Sequence, residues 1–62
     1  MTTKERDEIV GLLHDDHCFT WEDAEWRVDE EEDAIDDLYY AGKYAEDIAS
    51  EIAAHFGGNR DA

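Results

Sequence analysis

The chain contains no proline, a single cysteine and only four glycines, two of them adjacent near the C-terminal end. With so few breakers, helices can run without interruption. Cys18 has no second thiol to pair with, so an intrachain disulfide is excluded and a reducing compartment fits. Bases are equally scarce: five Lys and Arg stand against 19 Asp and Glu, for a net charge of −14. Contact with phosphates requires Lys or Arg, so this balance excludes direct binding to nucleic acid. An anionic membrane surface is excluded for the same reason. No apolar run approaches the ~20 residues needed to span a bilayer. The opening MTTKERDE has no apolar stretch, so no signal peptide is expected and the cytoplasm is the expected location.

What remains is a short chain with an adequate apolar supply. Its 62 residues allow one domain, and 42% of them are hydrophobic, including two Trp, three Tyr and two Phe. A chain of this size buries only about 60% of the surface its unfolded form exposes, so its core is thin. No strand-like alternation of useful length appears. The expected fold is all-α, a compact bundle of three to four short helices in one domain over residues 1–56. The remaining GGNRDA, residues 57–62, is expected to be a flexible tail.

Local signals place the helices. Thr2 and Glu5 have the spacing of a capping box, so a first helix starts at Thr2 or Thr3 and fades around His14. Thr20 is the expected N-cap of a second helix, with Asp23 three residues on. From there Trp21, Ala24, Val28, Ile35, Leu38 and Gly42 follow the 3-4 spacing of one apolar stripe. Glu31 falls in that stripe where an apolar residue belongs. Either the helix continues with Glu31 at the edge of the interface, or it breaks near Val28. In the second case Asp29 is a new N-cap and Glu32 closes its capping box. The break is the preferred reading. Gly42 suits a left-handed turn, and a last helix runs from Lys43 or Tyr44 to Phe56. Tyr44, Ile48, Ala49, Ile52, Ala53 and Phe56 share one face of it. The expected core is Ile9, Leu13, Trp21, Val28, Ile35, Leu38, Ile48, Ile52 and Phe56.

Few residues point to chemistry. His14, His17 and Cys18 in HDDHC can be grouped by one helical turn, and imidazole and thiolate are zinc ligands. No second pair completes a tetrahedral set, and the acids of residues 29–33 lack the alternation and central Gly of a calcium loop. No metal, cofactor or catalytic residue is therefore assigned. Paired carboxylates are plentiful, but acid–base catalysis needs a cleft that separates their environments. Residues 38–56, LYYAGKYAEDIASEIAAHF, resemble the helix-turn-helix of small DNA-binding proteins. That resemblance implies a recognition helix, yet here the second helix carries Glu46, Asp47 and Glu51 where Lys, Arg, Asn or Gln would read bases.

The acidic run is the strongest feature. VDEEEDAIDD, residues 28–37, holds seven carboxylates and no base. Like charges at i,i+4 cost roughly 0.2–0.5 kcal/mol per pair in a helix. Asp29–Asp33, Glu32–Asp36, Asp33–Asp37 and Glu25–Asp29 are such pairs. Solubility alone calls for far less charge than −14. As one helix, residues 29–37 span ~13.5 Å, about one charge per ~1.9 Å, close to the ~1.7 Å of duplex DNA.

Glu22 to Asp37, in a chain this small and acidic, resemble the phage-encoded DNA-mimic inhibitors of anti-CRISPR type. The resemblance implies a non-enzymatic protein that occupies the basic DNA site of a host nucleic-acid-binding complex. The partner-binding residues it implies are Glu22, Asp23, Glu25, Trp26, Asp29, Glu30, Glu32, Asp33, Asp36, Asp37 and Tyr40. Two alternatives stand beside it. An acidic surface with two lysines also suits adaptation to high salt without a dedicated partner. The apolar stripe also suits a small homodimerising regulator.

Overall fold

The computed structural model describes residues 1–56, and they form four α-helices and no strand. These are α1 (Thr3–His17), α2 (Trp21–Glu30), α3 (Glu32–Tyr40) and α4 (Ala45–Phe56). The expected tail at 57–62 lies outside the described residues, as does the side chain of Phe56. None of the described helices is long and apolar enough to cross a membrane.

The starts of α1 and α2 follow their caps. The Glu5 N–H donates to the Thr2 hydroxyl at 3.1 Å, and the Thr2 N–H donates to the Glu5 carboxylate at 2.8 Å. The Thr20 hydroxyl accepts from the Asp23 N–H at 3.1 Å. Each bond satisfies a donor that the first turn leaves open. α1 runs one turn past its expected end at His14. His14 and His17 lie in its last turn, where a helix favours cations. Cys18 ends it in the left-handed conformation (φ 62°), and the Phe19 N–H reaches back to the Leu13 carbonyl at 3.1 Å.

The second stripe does break, but not at Asp29. α2 continues to Glu30, and Glu31 alone interrupts the path before α3. Asp29 therefore caps nothing, and Glu31, at the N-cap position of α3, makes no side-chain capping bond. The reason is tertiary: Arg6 of α1 grips the Asp29 carboxylate and holds it on the helix surface. Glu31 meanwhile keeps a quarter of its side chain in solvent and lies 4.0 Å from Arg27. Continuing the helix straight would carry this carboxylate into the apolar seam, where an unpaired charge is costly.

α3 ends on Gly42 (φ 93°), whose N–H donates to the Tyr39 carbonyl while the Lys43 N–H donates to that of Leu38, both at 3.0 Å. This pair of bonds is the Schellman closure, and the positive φ is the reason for a glycine there.

α1 packs against α2 and α4, and α3 closes against α4 and α2. The core holds Ile9, Val10 and Leu13 of α1, Ala24 and Val28 of α2, Ile35 of α3, and Ala45, Ile48, Ala49 and Ile52 of α4. Phe19 joins them from the α1–α2 connection. Trp21, expected in the core, is 48% exposed and stands edge-on to His14, with ring centroids 5.6 Å apart. Phe19 takes the interior instead, because the chain turns inward immediately after Cys18. Leu38 is only partly buried. Tyr44, expected on the buried face of the last helix, is 78% exposed, and it lies outside α4, which starts at Ala45.

Two glycine-to-alanine substitutions should move stability in opposite directions. Gly11 lies inside α1 with nothing within 4 Å of an added Cβ, so Gly11→Ala should stabilise by about 0.5–1 kcal/mol. Gly42→Ala places a side chain at positive φ and should cost about 1–2 kcal/mol. Urea denaturation of both variants measures this, and equal midpoints would contradict the positive-φ geometry at Gly42.

Candidate acidic interface

Every carboxylate assigned to partner binding lies at the surface, and no charged residue is buried among the described residues. The break at Glu31 divides the acidic run between two helices. The straight rod of residues 29–37, with the charge spacing of a duplex, is therefore not formed. Two clusters replace it.

On α2, Glu22, Trp26 and Glu30 succeed one another at i, i+4 and i+8, opposite the buried Ala24 and Val28. Asp23 and Asp29 flank Trp26 at i−3 and i+3. The indole is 56% exposed, and the Arg27 guanidinium lies 4.8 Å from its ring centre. On α3, Asp33 and Asp37 share the outer face with Tyr40, which is 96% exposed, and Glu32 precedes them in the first turn. Each cluster thus sets an exposed aromatic among carboxylates.

The eleven assigned residues are not equivalent. Arg6 donates to both oxygens of Asp29, from Nε to Oδ1 at 3.0 Å and from Nη2 to Oδ2 at 3.3 Å. Its Nη1 lies 4.0 Å from Glu25 and 3.9 Å from Asp7. One guanidinium therefore sits among three carboxylates and ties α1 to α2. The hydrogen bond with Asp29 is the main reason its pKa is raised further. At the other cluster the Met1 ammonium donates to Asp36 at 2.6 Å. Asp29, Glu25 and Asp36 are thus engaged inside the chain. Glu22, Asp23, Glu30, Glu32, Asp33 and Asp37 have no ion pair among the described residues and face solvent.

The dipole argument also divides at the break. Glu32 and Asp33 lie in the first turn of α3, where negative charge is favourable. Asp29 and Glu30 lie in the last turn of α2, where it is not. The clamp from Arg6 compensates at Asp29 only.

Two further aromatics outside the assigned residues, Trp21 and Tyr44, are also exposed. Position gave a usable signal for Tyr44, which follows the turn glycine and precedes the helix. Tyr39 is partly buried, and its hydroxyl has no hydrogen-bond partner among the described residues. Burial raises its pKa, and the nearby charges of Glu5 and Glu8 push in the same direction. α3, the Gly42 turn and α4 do form a helix–turn–helix sequence, with Glu46, Asp47 and Ser50 of α4 exposed. Among the described residues no three His, Cys, Asp or Glu side chains gather as metal ligands. Comparison of the chain with family models, curated proteins and solved structures finds no match.

The titration of two groups sets a pH dependence. The bond to Asp36 raises the Met1 ammonium above its ordinary 8.0, and burial raises Tyr39 above 10.0. Both hold their proton more tightly folded than unfolded. Their stabilisation is complete below the unfolded values and is lost as the pH rises through the folded ones. Thermal melts at constant ionic strength should therefore show Tm falling from just above pH 8 and again above pH 10. Acetylating the amino group should abolish the first step and leave the second.

Proposed function

We propose that this chain is a non-enzymatic binding protein whose open carboxylates pair with the basic DNA site of a nucleic-acid-binding protein or complex, a DNA mimic of anti-CRISPR type. The observation that carries this reading is the pair of clusters on α2 and α3. Six carboxylates that make no ion pair among the described residues surround Trp26 and Tyr40 on exposed helix faces. Carboxylates that stay open keep their attraction for a partner's Lys and Arg, which speeds encounter and weakens with salt. Exposed Trp and Tyr supply the contact area that usually carries interface energy. A cytoplasmic site of action fits a chain whose one cysteine cannot form an intrachain disulfide.

A second reading, adaptation to high salt, has its own support. Asp7, Glu8, Asp15 and Asp16 of α1 and Glu46 and Asp47 of α4 are also exposed, away from the two clusters. A surface of that kind serves hydration in brine without any partner. It predicts a chain that unfolds in dilute buffer, where screening is lost. The binding reading predicts a folded chain at tens of millimolar salt, with Arg6 and Met1 offsetting the closest repulsions.

Competition on defined targets tests the proposal. Guide-loaded CRISPR effector complexes and restriction endonucleases are incubated with labelled target duplex and increasing amounts of this protein. Release of the duplex from one of them is expected. The variant combining Glu30→Lys, Asp33→Lys and Asp37→Lys should need about 100-fold more protein, taking ~1 kcal/mol for each lost pair. These three positions make no ion pair among the described residues, so the reversal spares the clamps at Asp29 and Asp36. Simultaneous binding of duplex and protein on every target tested would sink the mimicry.

A further inference from the structure

The α3–α4 seam does not close completely. A groove of about 400 Å³ runs between the two helices. Ala34, Ile35 and Leu38 of α3 and Ile52 of α4 form its apolar floor. Glu31, Asp37 and Glu51 place carboxylates around it, and His55 lines it as well. The gap follows from residue size. Ala34 is exposed and offers only a methyl group where α3 faces the opening, and Leu38, packed against the core, stays only partly buried. The rim is already cation-seeking. Lys43 lies 3.8 Å from Glu51 and Arg27 lies 4.0 Å from Glu31. Both pairs are at the outer limit of contact and are partly solvated, so they exchange readily for a partner's cations. Asp37 has no ion pair among the described residues, and it belongs to the α3 acidic cluster as well.

We infer that this groove receives a basic amphipathic helix, one that seats an apolar side chain on the Ala34–Leu38–Ile52 floor and sets Lys or Arg against Glu31, Asp37 and Glu51. The charge complementarity selects this occupant. An uncharged apolar helix would leave Asp37 without a cation and the weak pairs at Glu31 and Glu51 no better served, and an acidic helix would be repelled. A polycation lacking apolar residues would gain the rim and forgo the floor. Glu31, Ala34 and Leu38 stand at i, i+3 and i+7 along one wall, the spacing by which one helical face meets a docked helix, with the buried Ile35 beneath them. The inference deepens the binding reading above: through Asp37 the groove extends the acidic interface, and it requires the partner to be protein with an apolar ridge between its basic residues.

A synthetic probe tests it. One labelled 14-residue peptide of Lys and Leu has Leu at i, i+3, i+4 and i+7. A second has the same composition in scrambled order, and a third is Lys alone. Fluorescence anisotropy at 150 mM salt should show the patterned peptide binding at least about tenfold tighter than either control. Backbone amide shifts should concentrate at Ala34, Leu38 and Ile52. Ala34→Gln, a neutral change at an exposed helical position, should weaken the patterned peptide about tenfold by filling the floor. Ser50→Gln, on the exposed side of α4, should leave binding unchanged. Equal binding of the three peptides, or indifference to Ala34→Gln, overturns the inference. So does sedimentation showing that the chain self-associates through a contact that Ala34→Gln abolishes, which would assign the groove to a second copy. These outcomes are independent of the duplex competition. A groove that binds the patterned peptide in a protein that never displaces DNA would end the mimicry and keep the groove. Displacement of DNA with an inert groove would do the reverse.

Discussion

The architecture depends on one misfit, the carboxylate of Glu31 in the apolar stripe. A single helix from Trp21 to Tyr40 would align Val28, Glu31 and Ile35 along one seam. Burying that carboxylate unpaired would cost several kcal/mol, beyond what a chain of this size can lose. Interrupting the helix at one residue leaves Glu31 partly solvated beside Arg27 and still lets Ile35 reach the core. The direction of α3, its packing on α4 and the groove between them all descend from this break.

Folding a chain of charge −14 also requires that its nearest repulsions be offset. The means are few and specific. Arg6 meets Asp29 with a two-point bond and lies near Glu25 and Asp7, and the Met1 ammonium meets Asp36. These contacts tie the start of α1 to both acidic helices. They also sort the carboxylates into those that hold the fold and those that remain available. Because the second group makes no ion pair among the described residues, its repulsion is a standing cost that a basic partner would relieve. On the proposed reading, stability and binding are coupled through the same charges.

The core shows why patterning located most, but not all, of the interior. Ile9, Leu13, Val28, Ile35, Ile48 and Ile52 recur at helical spacing and are buried as the period requires. Trp21 and Tyr44 stand at helix edges, where the period says little about direction, and both are exposed. Phe19 belongs to no helix, so periodicity had no means of placing it, yet it is buried. In the acidic interface, exposure of the assigned residues was legible from charge alone. Their division into two clusters was not, since it turns on where one helix ends.

The sequence by itself determined the all-helical class, the caps at Thr2 and Thr20, the turn at Gly42 and the surplus of surface carboxylates. Each of these is a local matter, settled by a bond within a few residues or by backbone freedom at one position. Only the tertiary structure decided which carboxylates are engaged and which stay open. The partners of Asp29 and Asp36 lie 23 and 35 residues away along the chain. It alone decided the groove too, because a gap between two helices depends on how closely their side chains meet. Spacing within either helix carries no record of that.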